Sequence, residues 1–173
     1  MYRTFPYLTL LAATVLVQVY LFDNLSISIY FAPMIYLAYV LLLPLDTSHF
    51  ALLVAGLCTG WLMDYTMGTD GLNIISTLPV AFLRPWIIAA VYNREDPHEG
   101  GIPSTARFGR AKFFRYLVVC VLLHHLIFFS FEALSWVHLH RTLLRIVISS
   151  ASSVCFLWIT ARLFTLKLTT RIG

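Results

Sequence analysis

Charge is scarce in this sequence. Asp, Glu, Lys and Arg make up 12% of its 173 residues, where a soluble domain carries about 25%. So little charge excludes an ordinary water-facing surface. Cysteine is scarce as well, and Cys58, Cys120 and Cys155 each lie inside an apolar run. That placement argues against a disulfide framework and reads the three as small hydrophobes. The net charge of +4 is thinly spread along the chain, so it gives no footprint for a nucleic acid and bears on topology instead. Also missing are a nucleophile elbow, a phosphate-cradling glycine loop and a paired-carboxylate motif, so neither an enzyme nor a cofactor is expected.

What is present is hydrophobic. Apolar residues reach 60% and mean hydropathy is +0.82, in runs that recur along the whole length and approach the ~20 helical residues needed to cross a bilayer core. These runs predict an all-α membrane protein, a single polytopic domain over 1–173 with six transmembrane helices. The expected spans are 5–22, 33–45, 50–67, 72–92, 113–134 and 141–166, with a polar cytoplasmic loop over 93–112. A basic head with Arg3 precedes the first run, but no small-x-small cleavage site follows Phe22, so the run reads as an uncleaved helix. Gln18 is its one strongly polar side chain and should point into the bundle.

The second span is the weakest. Residues 25–31 alternate polar and apolar before Pro33, a pattern of extended chain, and a helix opening at Pro33 is too short to cross alone. Either the helix starts earlier and kinks at Pro33, or the lead-in folds over the outer side of the bundle. Asp46, Thr47 and Ser48 are N-cap candidates for the third helix, and Gly68 to Gly71 make the next turn. Pro79 and Pro85 should kink the fourth helix. Arg84, the deepest basic residue, is expected to snorkel to the inner headgroups.

The third helix carries the pattern around which the chain is organised. Gly56, Gly60 and Asp64 are spaced i, i+4, i+8 and share one face. Paired glycines let a second backbone come close within lipid, and a carboxylate ending the stripe should face protein. By depth, Asp64 is expected to pair with Arg145, or with Arg141 one turn further out. His124 and His125 in the fifth span read as polar residues joining helices by hydrogen bonds, with Glu132 further along. His138 and His140 add no recognised metal spacing, so no metal site is expected. Arg141, Arg145, Ser149 and Ser153 form a second polar, small face. Basic residues gather on one side (Arg3, Arg94, Arg107, Arg110, Lys112, Arg115, Arg162, Lys167, Arg171) against Arg141 and Arg145 on the other. The positive-inside rule then puts both termini in the cytoplasm.

Pro33, the stripe Gly56, Gly60, Asp64, and Gly71 seven residues on resemble the MreD family of bacterial rod-shape-determining membrane proteins, as do the size and the six hydrophobic segments. The resemblance implies a non-enzymatic scaffold of the cell-elongation (peptidoglycan synthesis) machinery in the inner membrane. It implies binding to MreC, a bitopic membrane protein, beside RodA and a penicillin-binding transpeptidase. It also implies a fold similar to the substrate-capture subunits of energy-coupling-factor transporters. The rival reading is therefore a vitamin-type transporter subunit, with a pocket lined by Tyr30, Trp61, Asp64, Glu132, Trp136 and Arg145.

Overall fold

The computed structural model describes residues 5–23, 30–92, 101–133 and 139–169. Arg3, most of the alternation over 25–31, the loop from 93 to 100 with Arg94, Trp136, His138, Arg171 and the side chain of Lys167 fall outside the described residues.

The chain is an all-helical, multi-pass membrane protein. Among the described residues, five helices are long and apolar enough to cross a bilayer, and all polar backbone groups in such a helix bond internally. Helix α1 (Phe5–Val17) continues into a wider π-helical turn, Gln18–Asp23. α2 (Leu37–Leu41) is a single short turn, α3 spans His49–Met67 and α4 spans Leu72–Val91. α5 (Thr105–Phe108) is another short turn, followed by α6 (Arg110–Ala133) and α7 (Leu139–Thr169).

Local chemistry explains the boundaries. Ser48 caps α3 by accepting from the Ala51 amide at 3.3 Å. Gly68 ends α3 in the left-handed region (φ 65°), where its N–H returns to the Asp64 carbonyl at 2.9 Å. α4 is continuous through both Pro79 and Pro85. The polar loop is shorter than expected. Ser104 caps α5, Gly109 (φ 74°) separates it from α6, and the Phe113 amide bonds the Gly109 carbonyl, starting α6 at Arg110 rather than 113.

The second of the six expected membrane helices, at 33–45, does not form, and Pro33 does not open a helix. Residues 31–35 form no regular secondary structure and α2 begins only at Leu37. With Pro33 and Pro44 at its ends, this segment has room for only a few helical bonds. It does not fold over the outside either. It threads the bundle, and of residues 34–43 only Tyr39 is not buried. At one end the Tyr30 carbonyl meets Ser149, ten residues into α7. At the other, the Leu45 amide donates to the Gly101 carbonyl just before α5. Among the described residues the bundle thus has five membrane-length helices and one crossing segment, 30–45, that is not one. Tyr7 packs edge-on against Phe164 at 5.6 Å, so the start of α1 and the late turns of α7 lie at the same end.

α3 packs chiefly on α4, α4 on α6 and α6 on α7, and the 30–45 crossing fills the space they enclose. Its Tyr36, Leu37, Leu41 and Leu42 form the core with Met63, Val80, Phe113, Tyr116 and Phe129.

Candidate functional site

An irregular backbone inside a membrane bundle exposes amides and carbonyls that water cannot reach, and each must find a side chain. Gln18, opening the π turn after α1, supplies both halves of one such contact. Its Nε2 donates to the Pro33 carbonyl at 3.0 Å and its Oε1 accepts from the Ile35 amide at 2.8 Å. From the other side, Ser149 Oγ accepts from the Ala32 amide (3.1 Å) and donates to the Tyr30 carbonyl (3.0 Å). Ser153 Oγ accepts from the Met34 amide (2.9 Å) and donates to His125 Nε2 (3.2 Å). Gln18 thus points inward as its polarity implies. The polar face of α7 splits in two: Ser149 and Ser153 serve the crossing, whereas Arg141 is exposed.

The second group of contacts begins at Asp64. Its Oδ1 accepts from the Asn73 amide (2.8 Å), Thr69 Oγ1 (2.6 Å) and Asn73 Nδ2 (3.1 Å), and its Oδ2 accepts from the Ile74 amide (3.0 Å). The carboxylate therefore caps the N-terminus of α4, where the amides and the helix dipole both favour an anion. This overturns the expected pairing with Arg145 or Arg141. Arg145 Nη1 instead bonds Glu132 Oε2 at 2.7 Å, with both side chains about a third exposed. The physical reason is proximity: the tight turn from Gly68 to Gly71 (φ 94° at Gly71) returns α4 directly onto Asp64, while α7 packs on the far side against α6.

From Asp64 the network runs inward through buried groups. Tyr36 donates to Asn73 Oδ1 at 2.7 Å, and His124 Nε2 lies 2.9 Å from both Tyr36 Oη and Ser76 Oγ. The Ser76 proton points to the Leu72 carbonyl at 2.8 Å. Both hydroxyl protons are thus spent elsewhere, so Nε2 carries the imidazole hydrogen and gives it to Tyr36 and Ser76. Nδ1 of His124 is then bare and buried, with no hydrogen-bond partner among the described residues. His125 faces the other way, with Nδ1 on the Val121 carbonyl at 2.9 Å and Nε2 on Ser153. The adjacent histidines thus tie α6 to α4 and the crossing on one side and to α7 on the other, in the expected joining role.

Arg84 forms the third group, and snorkelling is not its role. Only 1% of it is exposed. Its Nε donates to Tyr116 Oη (3.1 Å) and its Nη2 to the carbonyls of Leu41 (3.4 Å) and Leu43, while Tyr116 donates to the Leu41 carbonyl (2.9 Å). The guanidinium therefore meets the carbonyls left open where α2 ends. Sequence reasoning missed it because the acceptors are backbone atoms of a helix too short to foresee.

The glycine stripe is a backbone contact between α3 and α4. A Cβ at Gly60 would stand 2.7 Å from Ile74 Cα and 3.0 Å from the Asn73 carbonyl, and one at Gly56 would stand 2.7 Å from Ala81 Cβ. Of the residues suggested for a ligand pocket, the structure brings Glu132 and Arg145 together but not with Asp64. Trp61 is 61% exposed and stacks on Tyr65. Among the described residues no three of His, Cys, Asp or Glu stand close enough to share a metal ion.

These features define a multi-pass membrane bundle whose interior polar side chains hold an irregular crossing in place. No protein-family model, no curated protein and no solved structure matches the chain, so the likeness to energy-coupling-factor subunits gains no support from known folds.

Proposed function

We propose that the chain is a non-enzymatic membrane scaffold of the bacterial cell-elongation machinery, of the MreD kind. In this reading it sits in the cytoplasmic membrane with both termini inside the cell, binds an MreC-like bitopic protein and works beside RodA and a penicillin-binding transpeptidase. One observation carries it: the residues of the MreD-like motif are structural. Gly56 and Gly60 seat α3 on α4, Asp64 locks the turn between them, Gly71 supplies its left-handed corner and Pro33 lies buried in the crossing. Such a motif builds a rigid body that presents surfaces to partners.

Co-purification of the tagged full chain from native bacterial membranes tests the reading. A bitopic morphogenetic protein retained with it is the expected outcome. An ATPase module or a retained vitamin would overturn the scaffold in favour of a transporter subunit. Reporter fusions after Gly173 and at His98 should both report the cytoplasm, in line with the basic residues clustered at that end.

A further inference from the structure

A groove of about 570 Å³ opens between α6 and α7, within the size range of small-molecule sites. Its walls are two helical stripes. Phe114, Val118 and Leu122 of α6 recur every four residues, and so do Ser150, Val154 and Trp158 of α7. The two helices are antiparallel, as Glu132 with Arg145 and Phe114 with Trp158 show. Continuing each stripe by one further turn toward the same end reaches Arg110 on α6 and Arg162 on α7. Both arginines are exposed, and among the described residues neither has an ion-pair or side-chain hydrogen-bond partner. Arg110 is also the first residue of α6, so the open amides and positive dipole end of that helix lie at the same place.

We infer that this groove binds one acyl chain of an anionic phospholipid, with its phosphate between Arg110 and Arg162. The dimensions select this occupant. From Arg110 to Leu122 the helical rise gives about 18 Å, and from Arg162 back to Val147 about 22 Å, close to the ~20–22 Å of a single leaflet with its headgroups. A partner's transmembrane helix would need contact along the whole bilayer, about twice that length. The chemistry agrees: apolar walls along one leaflet end in two unpaired cations at headgroup level, the arrangement that selects a negative lipid over a zwitterionic one. Towards its deep end the buried Ser150 hydroxyl has no hydrogen-bond partner among the described residues. This inference is independent of the scaffold reading and stands whether or not an MreC-like partner is found.

The test offers the detergent-solubilised full chain equal amounts of phosphatidylglycerol and phosphatidylcholine with identical acyl chains, and counts retained lipid by native mass spectrometry. Phosphatidylglycerol should be preferred. Arg110→Gln and Arg162→Gln should each lower its retention about fivefold, and the double variant should lose the preference. Ala151→Trp, which fills the groove and spares both arginines, should lower retention of both lipids. Arg141→Gln, at the opposite end, should change neither. If the double variant aggregates, the two single variants decide. Equal retention of the two lipids by the wild-type chain, unchanged preference in the arginine variants, or a polypeptide rather than lipid captured by a photo-crosslinker at Val118 would each overturn the assignment.

Discussion

α3 and the 30–45 crossing both pack against α4, yet they are fixed in opposite ways. α3 is a regular helix whose buried face is thinned by two glycines, so that at Gly60 it meets the backbone of α4 and at Gly56 the Ala81 methyl. The crossing is mostly irregular and is held by side chains from the π turn after α1 and from α4, α6 and α7 (Gln18, Asn73, Arg84, His124, Ser149 and Ser153). Shape complementarity is what a regular helix needs in lipid, since its backbone is already satisfied, whereas an irregular segment needs donors and acceptors first. Substitutions should therefore fail steeply on the α3 side and in graded steps on the crossing.

The largest effect is expected at Gly60. Gly60→Leu should cost more than about 3 kcal/mol by driving α3 off α4, read as loss of folded protein on size exclusion. Gly60→Ala should also destabilise, because even its single methyl meets backbone atoms of Asn73 and Ile74 that cannot rotate away. Gly56→Ala should destabilise as well, since its methyl would stand 2.7 Å from Ala81 Cβ, which is fixed to the α4 backbone and has no rotamer to move away. Alanine accepted at both sites without loss of stability would show that α3 and α4 are not in close contact along the stripe.

Next comes Arg84. Arg84→Leu leaves the Leu43 carbonyl without its guanidinium and should cost about 1–3 kcal/mol, seen as a lower melting temperature in detergent. Tyr116→Phe should cost less, as Arg84 still reaches the Leu41 carbonyl. A wild-type melting temperature in Arg84→Leu would return the residue to a snorkelling role.

Asp64→Asn should cost about 1–2 kcal/mol, the loss of a charged cap on α4. Combined with Arg145→Gln, the two effects should simply add, since their partners are separate. Non-additivity beyond about 0.5 kcal/mol would revive the pairing of Asp64 with Arg145. The Glu132–Arg145 pair is a third exposed on each side, and breaking it should cost about 0.5 kcal/mol. Ser149→Ala, which strips the acceptor from the Ala32 amide, should fall between these at about 1 kcal/mol.

Helical periodicity carried the reading of the sequence a long way. Four of the six expected spans lie within a few residues of α3, α4, α6 and α7, and the first coincides with α1 and its π turn. The stripe of Gly56 and Gly60, the Ser48 cap and the inward Gln18 were legible because each depends on residues close in sequence or on one helix face. The crossing was half legible: the alternation before Pro33 signals extended chain, but nothing local says that Ser149 and Ser153 will receive its amides. Asp64 was misassigned because the depth argument sought a cation, whereas the first amides of α4 supply the same electrostatic complement only nine residues away. Arg84 was misassigned for the same reason in mirror image, with carbonyls standing in for an acid.

The serine contacts to the crossing set an order of biogenesis. The amides of Ala32 and Met34 wait for hydroxyls 117 and 119 residues later in the chain. When the first third of the polypeptide leaves the ribosome, this stretch lacks the length of a self-sufficient transmembrane helix, and of the side chains that hold its backbone only Gln18 is present. Its settled position comes only after α7 has entered the bilayer, so the most deeply buried part of the protein is the last to be fixed. Chains stopped before Ser149 should insert their long helices and yet leave 30–45 open to proteases and quality control, making α7 the closing step of assembly.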